Sequence, residues 1–180
     1  MKTALIIHGI QGHAGIHWQQ WLHDELVQKG YKVIMSDLPN PGKPDRKEWL
    51  EALMKLTVDI DFSKLVIIAH SLGVTTALDL IEKSGVKIDK LISISGFVED
   101  YGAKLNSYFM KDRDIDLQKV KDLVEKIYVI YGDNDPYVPQ RVLKQLADGL
   151  GVKPIIIKKG GHLNTDSGYI KIPLLLGLLK

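Results

Sequence analysis

Six short apolar runs punctuate the chain, each closed by turn-forming residues: Thr3–Ile7, Lys32–Ser36, Leu65–Ala69, Lys90–Ser95, Lys126–Tyr131 and Pro154–Lys158. They are rich in Ile and Val and mostly continuous, whereas a strand with one wet face alternates. Continuous runs of this length mark strands buried on both faces. Between them the period lengthens. Val74, Ala77, Leu78 and Ile81 keep a helical i, i+3, i+4, i+7 spacing, and Gly85 is placed to end the helix. Val142, Leu143, Leu146 and Leu150 repeat the design ahead of Gly151, and Trp18, Trp21, Leu22 and Leu26 form a stripe ending at Gly30.

Alternating strand and helix predicts an α/β fold: a six-stranded parallel sheet between two helical layers, an α/β/α sandwich. Ligand sites in such sheets lie at the carboxyl ends of the strands. Two aperiodic stretches, 37–49 and 96–116, follow strands and are expected to lie over that end as loops. No repeat, low-complexity tract or linker interrupts the pattern, so residues 1–180 read as a single domain.

Composition narrows the choice of partners. Apolar residues make up 45% and charged residues 26%, and the formal net charge of +2 comes from 24 basic and 22 acidic side chains that are interspersed. Nucleic-acid binding needs Lys and Arg massed on one face, and they are not. Cysteine is absent, which fits a reducing compartment. The five-residue apolar run near the N-terminus is too short for a secretory core, and the apolar C-terminal stretch is far below a membrane span. The expectation is a cytoplasmic protein without membrane or nucleic-acid contacts; a protein partner is possible but not indicated.

The chemistry gathers where the strands end. Ala69-His70-Ser71-Leu72-Gly73 lies between a strand pattern and a helix pattern, one residue short of the G-x-S-x-G nucleophile elbow. The elbow needs small residues two before and two after the serine, and Ala69 and Gly73 are both small. A serine at its ordinary pKa is a poor nucleophile and needs a base and an orienting acid. Asp135 follows the fifth run and His162 the sixth, in the chain order Ser, Asp, His. Asp133 competes for the acid role, but Gly132-x-x-Asp135-x-x-Val138 lets Asp135 reach back toward a histidine. The helix opening after Ser71 aims the Leu72 N–H at an oxyanion. The loop after the first strand offers a second donor, the Ile10 N–H first and the Gln11 N–H next. That loop is also Gly-rich, yet it lacks the further Gly or Lys-Ser/Thr of a phosphate cradle. His13, His17 and His23 match no metal-ligand pattern, so no metal and no cofactor is expected. His8 and His70 are expected to shape loops by hydrogen bonding. Phe97, Tyr101, Tyr108 and Phe109, after the fourth strand, are candidates to line a substrate pocket.

With these residues in place the chain resembles the α/β-hydrolases, specifically the small serine hydrolases of the retinoblastoma-binding-protein-nine type. The resemblance covers nearly the whole length. It rests on His8-Gly9 with Gly12 and His17-Trp18, on Leu38-Pro39-Asn40-Pro41 upstream of Trp49, and on His70-Ser71-x-Gly73. It rests further on Asp135-Pro136 with Val138-Pro139, and on Gly161-His162 with Asn164. Ala69 departs from the family's usual Gly. The resemblance implies a minimal hydrolase fold without a large lid, strand order 2-1-3-4-5-6, and Ser71, Asp135 and His162 as the triad. The expected function is hydrolysis of a small carboxylic ester, or less readily an amide or thioester, through an acyl-enzyme. The alternative is a hydrolase-like protein-binding module with little or no turnover.

Overall fold

The computed structural model describes all of residues 1–180. Six strands form one sheet in the order β2-β1-β3-β4-β5-β6, with every neighbouring pair parallel. They are β1 (Thr3–Ile7), β2 (Lys32–Met35), β3 (Leu65–His70), β4 (Ile88–Ile94), β5 (Val124–Gly132) and β6 (Ile155–Ile157). All six apolar runs are strands, and the strand order is the expected one. The helices are α1 (Gln19–Gln28), α2 (Arg46–Leu56), α3 (Leu72–Ser84), α4 (Ser107–Met110), α5 (Leu117–Asp122), α6 (Gln140–Gly149) and α7 (Leu174–Leu178).

Alternate residues of the central strands feed two separate cores, as the twofold period of a strand requires. Leu5, Ile7, Leu65, Ile67 and Ala69 face Trp49 and Leu53 of α2, the apolar side of α3, and Val142, Leu143 and Leu146 of α6. Ala4, Ile6, Val66 and Ile68 face Trp18, Leu22 and Leu26 at α1 and Leu175 of α7. Both faces of the sheet are therefore covered, which is why the strand sequences do not alternate. No large lid is inserted. The connection from β4 to α5 carries only the short α4.

Turn chemistry ends the helices where the pattern predicts. Gly85 caps α3 in the left-handed conformation (φ 64°) and donates its N–H to the Ile81 carbonyl. The stretch 37–49, expected as a loop throughout, becomes helical at Arg46. Asp45 caps α2 by accepting from the Glu48 N–H, a turn signal the aperiodic reading passed over. No helix is long and apolar enough to cross a membrane.

Candidate active site

Because all the strands run the same way, the residues after β1, β3, β4, β5 and β6 emerge at one edge of the sheet. Ser71 forms the turn between β3 and α3 with φ 53° and ψ −127°. A non-glycine residue in such a region costs of order 1–3 kcal/mol and persists only where its surroundings enforce it. Here the Ser71 N–H is held by the Ile94 carbonyl at 2.9 Å. Gly73 is packed so closely that an added Cβ would lie 2.3 Å from the His8 carbonyl oxygen. Ala69 instead has room: it is fully buried, in register with Ile7 on one side and Ser93 on the other. The helix starts without a side-chain cap, so its first N–H groups, Leu72 among them, remain available to a ligand.

The loop after β1 lies directly over the serine. A Cβ built on Gly9 would stand 2.9 Å from Ser71 Cβ and 3.5 Å from Ser71 Oγ, so only glycine leaves the hydroxyl uncovered. Of the two N–H groups expected as oxyanion donors on this loop, one is already bonded within the protein. The Gln11 N–H is spent on the Pro41 carbonyl at 2.7 Å, whereas the Ile10 N–H makes no hydrogen bond and Ile10 lines the cavity. His8 fixes the base of the loop. Its Nδ1–H donates to the Gly9 carbonyl at 2.8 Å and its Nε2 accepts from the Leu38 N–H at 3.0 Å, which requires a neutral ring. Burial lowers the His8 pKa in the same sense.

The residues expected as acid and base are held just as firmly. Asp135 Oδ2 accepts from His162 Nδ1 at 2.7 Å, with both side chains buried. Asp135 Oδ1 accepts from the Tyr137 and Val138 N–H groups at 2.9 and 3.0 Å, which sets the carboxylate's angle. Asp133 is occupied elsewhere, accepting from the Lys159 N–H at 2.6 Å, and Asn134 accepts from the Gly161 N–H at 2.8 Å. The two loops touch through glycine: a Cβ on Gly132 would fall 2.3 Å from the Gly161 carbonyl oxygen. The His162 carbonyl accepts from His70 Nε2–H at 2.9 Å and from the Ser95 hydroxyl at 3.1 Å. With Nδ1 tied to Asp135, the Nε2 edge of His162 is the one left for Ser71; the two side chains share one cavity but make no hydrogen bond in this resting geometry. Such contacts commonly close only when substrate is bound.

The His17-Trp18 pair serves the same loop from across the sheet end. Trp18 Nε1–H donates to the Leu163 carbonyl at 3.0 Å. His17 Nδ1 accepts from both the Thr165 hydroxyl (2.9 Å) and the Thr165 N–H (3.2 Å). His70 stands between, its ring centroid 5.4 Å from that of His17 and 4.9 Å from that of His162. Burial, and then the charge of His162, hold the His70 pKa well below its ordinary value. A neutral His70 with its proton on Nε2 satisfies the bond to the His162 carbonyl. His13 and His23 bond within their own turns, to Ala14 and Asp24, and no three His, Asp or Glu side chains gather as a metal-holding group.

Ser71 and His162 border a cavity of about 300 Å³. Of the four aromatic pocket candidates only Tyr101 lines it; its hydroxyl oxygen accepts from Asn106 Nδ2 at 3.2 Å. Phe97 and Phe109 are core residues instead. Phe97 is buried beneath Tyr101 and Phe109 against Trp49. Tyr108 points away and is 43% exposed. The short α4 turn buries Phe109 and Met110 and leaves Tyr108 outside, a division that an unpatterned stretch does not announce. Ile16, Leu105, Asn106, Tyr137 and Asp166 complete walls that the sequence reading did not name. Tyr137 had a signal, since it follows the Asp135-Pro136 pair; Leu105 and Asn106 had none.

A strained serine at a strand-to-helix turn, facing an Asp-bound histidine on an all-parallel sheet, defines the α/β-hydrolase class. The chain belongs to the serine hydrolase family, whose model matches residues 4–180. It is 27% identical over 180 residues to the Bacillus subtilis hydrolase YdeN, covering 99% of this chain and 94% of that one. The crystal structure of the B. subtilis ydeN gene product superposes with a TM-score of 0.92 at 26% identity, over 99% of this chain and 97% of the other. The serine hydrolase RBBP9 of Rattus norvegicus is 27% identical over 154 residues, 83% of this chain and 80% of the relative.

Proposed function

We propose that this hydrolase cleaves small carboxylic esters through an acyl-enzyme, with Ser71 as nucleophile, His162 as general base and acid, and Asp135 as the group that orients it. The observation that carries the reading is the 2.7 Å bond from His162 Nδ1 to Asp135, buried beside a serine held at φ 53°. In this mechanism Ser71 Oγ attacks the ester carbonyl while His162 Nε2 takes its proton. The tetrahedral oxyanion is met by the Leu72 and Ile10 N–H groups, each donor being worth about 2.7–4 kcal/mol in sites of this kind. Collapse expels the alcohol, which receives the proton from His162, and a water then attacks the acyl-enzyme by the same route in reverse. Amides and thioesters are the less favoured substrates. A cavity of about 300 Å³ without a large lid favours short acyl groups over long lipid chains.

The test is covalent labelling by a fluorophosphonate probe, which reacts only with an activated serine. The expected result is labelling of the wild type, loss of labelling in Ser71→Ala, and 4-nitrophenyl acetate turnover that disappears in His162→Ala. Labelling that survives in Ser71→Ala rejects the assignment.

A further inference from the structure

His17 is a cavity-lining residue that the triad does not use. Its backbone is left-handed (φ 60°), a conformation uncommon for a non-glycine residue and concentrated at functional sites. Its ring is oriented from behind: the Thr165 N–H can only donate, so Nδ1 must be the acceptor and the proton must sit on Nε2. The Thr165 hydroxyl bonds the same nitrogen. With Nδ1 committed to Thr165, the ring edge left for a ligand is an N–H donor. Burial and the neighbouring charge of His162 lower the His17 pKa and keep it neutral.

The position of this donor relative to the chemistry is what gives it meaning. Thr165 lies three residues past His162, and His70 packs against both rings. His17 therefore stands close to His162 at the cavity wall. His162 must deliver its proton to the departing alcohol, so the alcohol lies close to that wall too. Asp166 and Gln11 line the cavity as well. An N–H donor, a carboxylate acceptor and an amide match a group that both accepts and donates hydrogen bonds. Ile16 and Leu105 line the same cavity and offer apolar surface to the alcohol's carbon skeleton, while an alkyl or aryl alcohol leaves the three polar groups unused.

We propose that His17 is a leaving-group-binding residue, and that the substrates are esters of hydroxyl-bearing alcohols such as polyols. The proposal rests on the ester-hydrolase reading above. Glycerol monobutyrate and n-propyl butyrate share their acyl group and three-carbon alcohol skeleton and differ only in hydroxyl groups. Wild-type kcat/KM is expected to favour the glycerol ester by about tenfold, the scale of a well-placed hydrogen bond. His17→Phe, which fills the space without a donor, brings the ratio close to one. Thr165→Val, which loosens the ring without entering the cavity, lowers the ratio part of the way.

Fluorophosphonate labelling of Ser71 reports whether each variant is folded. If His17→Phe does not fold, the ratio in Thr165→Val decides, and an unchanged ratio there overturns the proposal. A labelled wild type that hydrolyses both esters alike overturns the proposal alone. A wild type that neither labels nor turns over either ester overturns the hydrolase reading and this proposal with it.

Discussion

Gly73 and Ala69 flank Ser71 symmetrically in sequence but not in space. A methyl at 73 would meet the His8 carbonyl at 2.3 Å, a backbone atom that cannot step aside. Ala69 carries its methyl inside the core between β1 and β4. The departure from the family's usual Gly is thus at the position that tolerates it. Gly73→Ala is expected to push the first turn of α3 away from His8 and cost about 1–3 kcal/mol by overpacking. The same change displaces the Leu72 N–H and lowers kcat/KM. Ala69→Gly should cost only about 0.5–1 kcal/mol through backbone freedom. Urea titrations of the two variants, with kinetics on a common ester, measure the asymmetry. The same kind of detail limited the reading of Gln11. Nothing local reveals that its N–H would be taken by Pro41, thirty residues on.

Among the elements, α2 and α3 hold the wall of the cavity through a buried ion pair. Arg46 binds Asp79 through two nitrogens, at 2.7 and 3.0 Å, with both side chains almost wholly buried. Its remaining nitrogen donates to the Phe109, Met110 and Arg113 carbonyls at 3.2, 3.4 and 2.8 Å. Those carbonyls close the segment that carries Tyr101, Leu105 and Asn106 into the site. Arg46→Ala leaves the buried Asp79 carboxylate with only Arg113 Nε, 3.6 Å away, and is expected to cost about 3 kcal/mol, the low end for a broken buried pair. Arg46→Met combined with Asp79→Leu restores much of the stability, since well-packed apolar groups replace buried pairs at little net cost. The double variant still frees the wall, so KM should rise more than kcat falls. Thermal unfolding and ester kinetics on the three proteins separate packing from positioning. Strands and long helices were legible because periodicity is local. This pair was not, because its members are 33 residues apart and each alone looks like an ordinary surface charge.

Across the molecule, two buried histidines tie stability to pH. His8 and His70 both have lowered pKa values in the native state, chiefly through burial. The unfolded chain takes up protons at these residues as pH falls through about 6.5, while the native state resists. More protons bound in the unfolded state means that stability rises with pH, so it should be lost progressively below about pH 6.5. Calorimetry from pH 8 to pH 5 should show a falling Tm. His70→Gln, which can still donate to the His162 carbonyl, should flatten the slope. At this scale the fold was largely readable: six apolar runs became six strands, and Ser71, Asp135 and His162 all follow strand ends, where Asp135 bonds His162 and Ser71 shares a cavity with it. What stayed hidden was how the ends of the chain cooperate.

Trp18 bonds Leu163, His17 bonds Thr165 and Tyr31 bonds Leu179, contacts spanning 145, 148 and 148 residues. Such closures come late in folding, because their loop entropy must be met before they give anything back. A chain cut after β5 loses the partners of Trp18, His17 and Tyr31 together. On the proposed mechanism it also loses its base, so a truncated copy is expected to take no fluorophosphonate label.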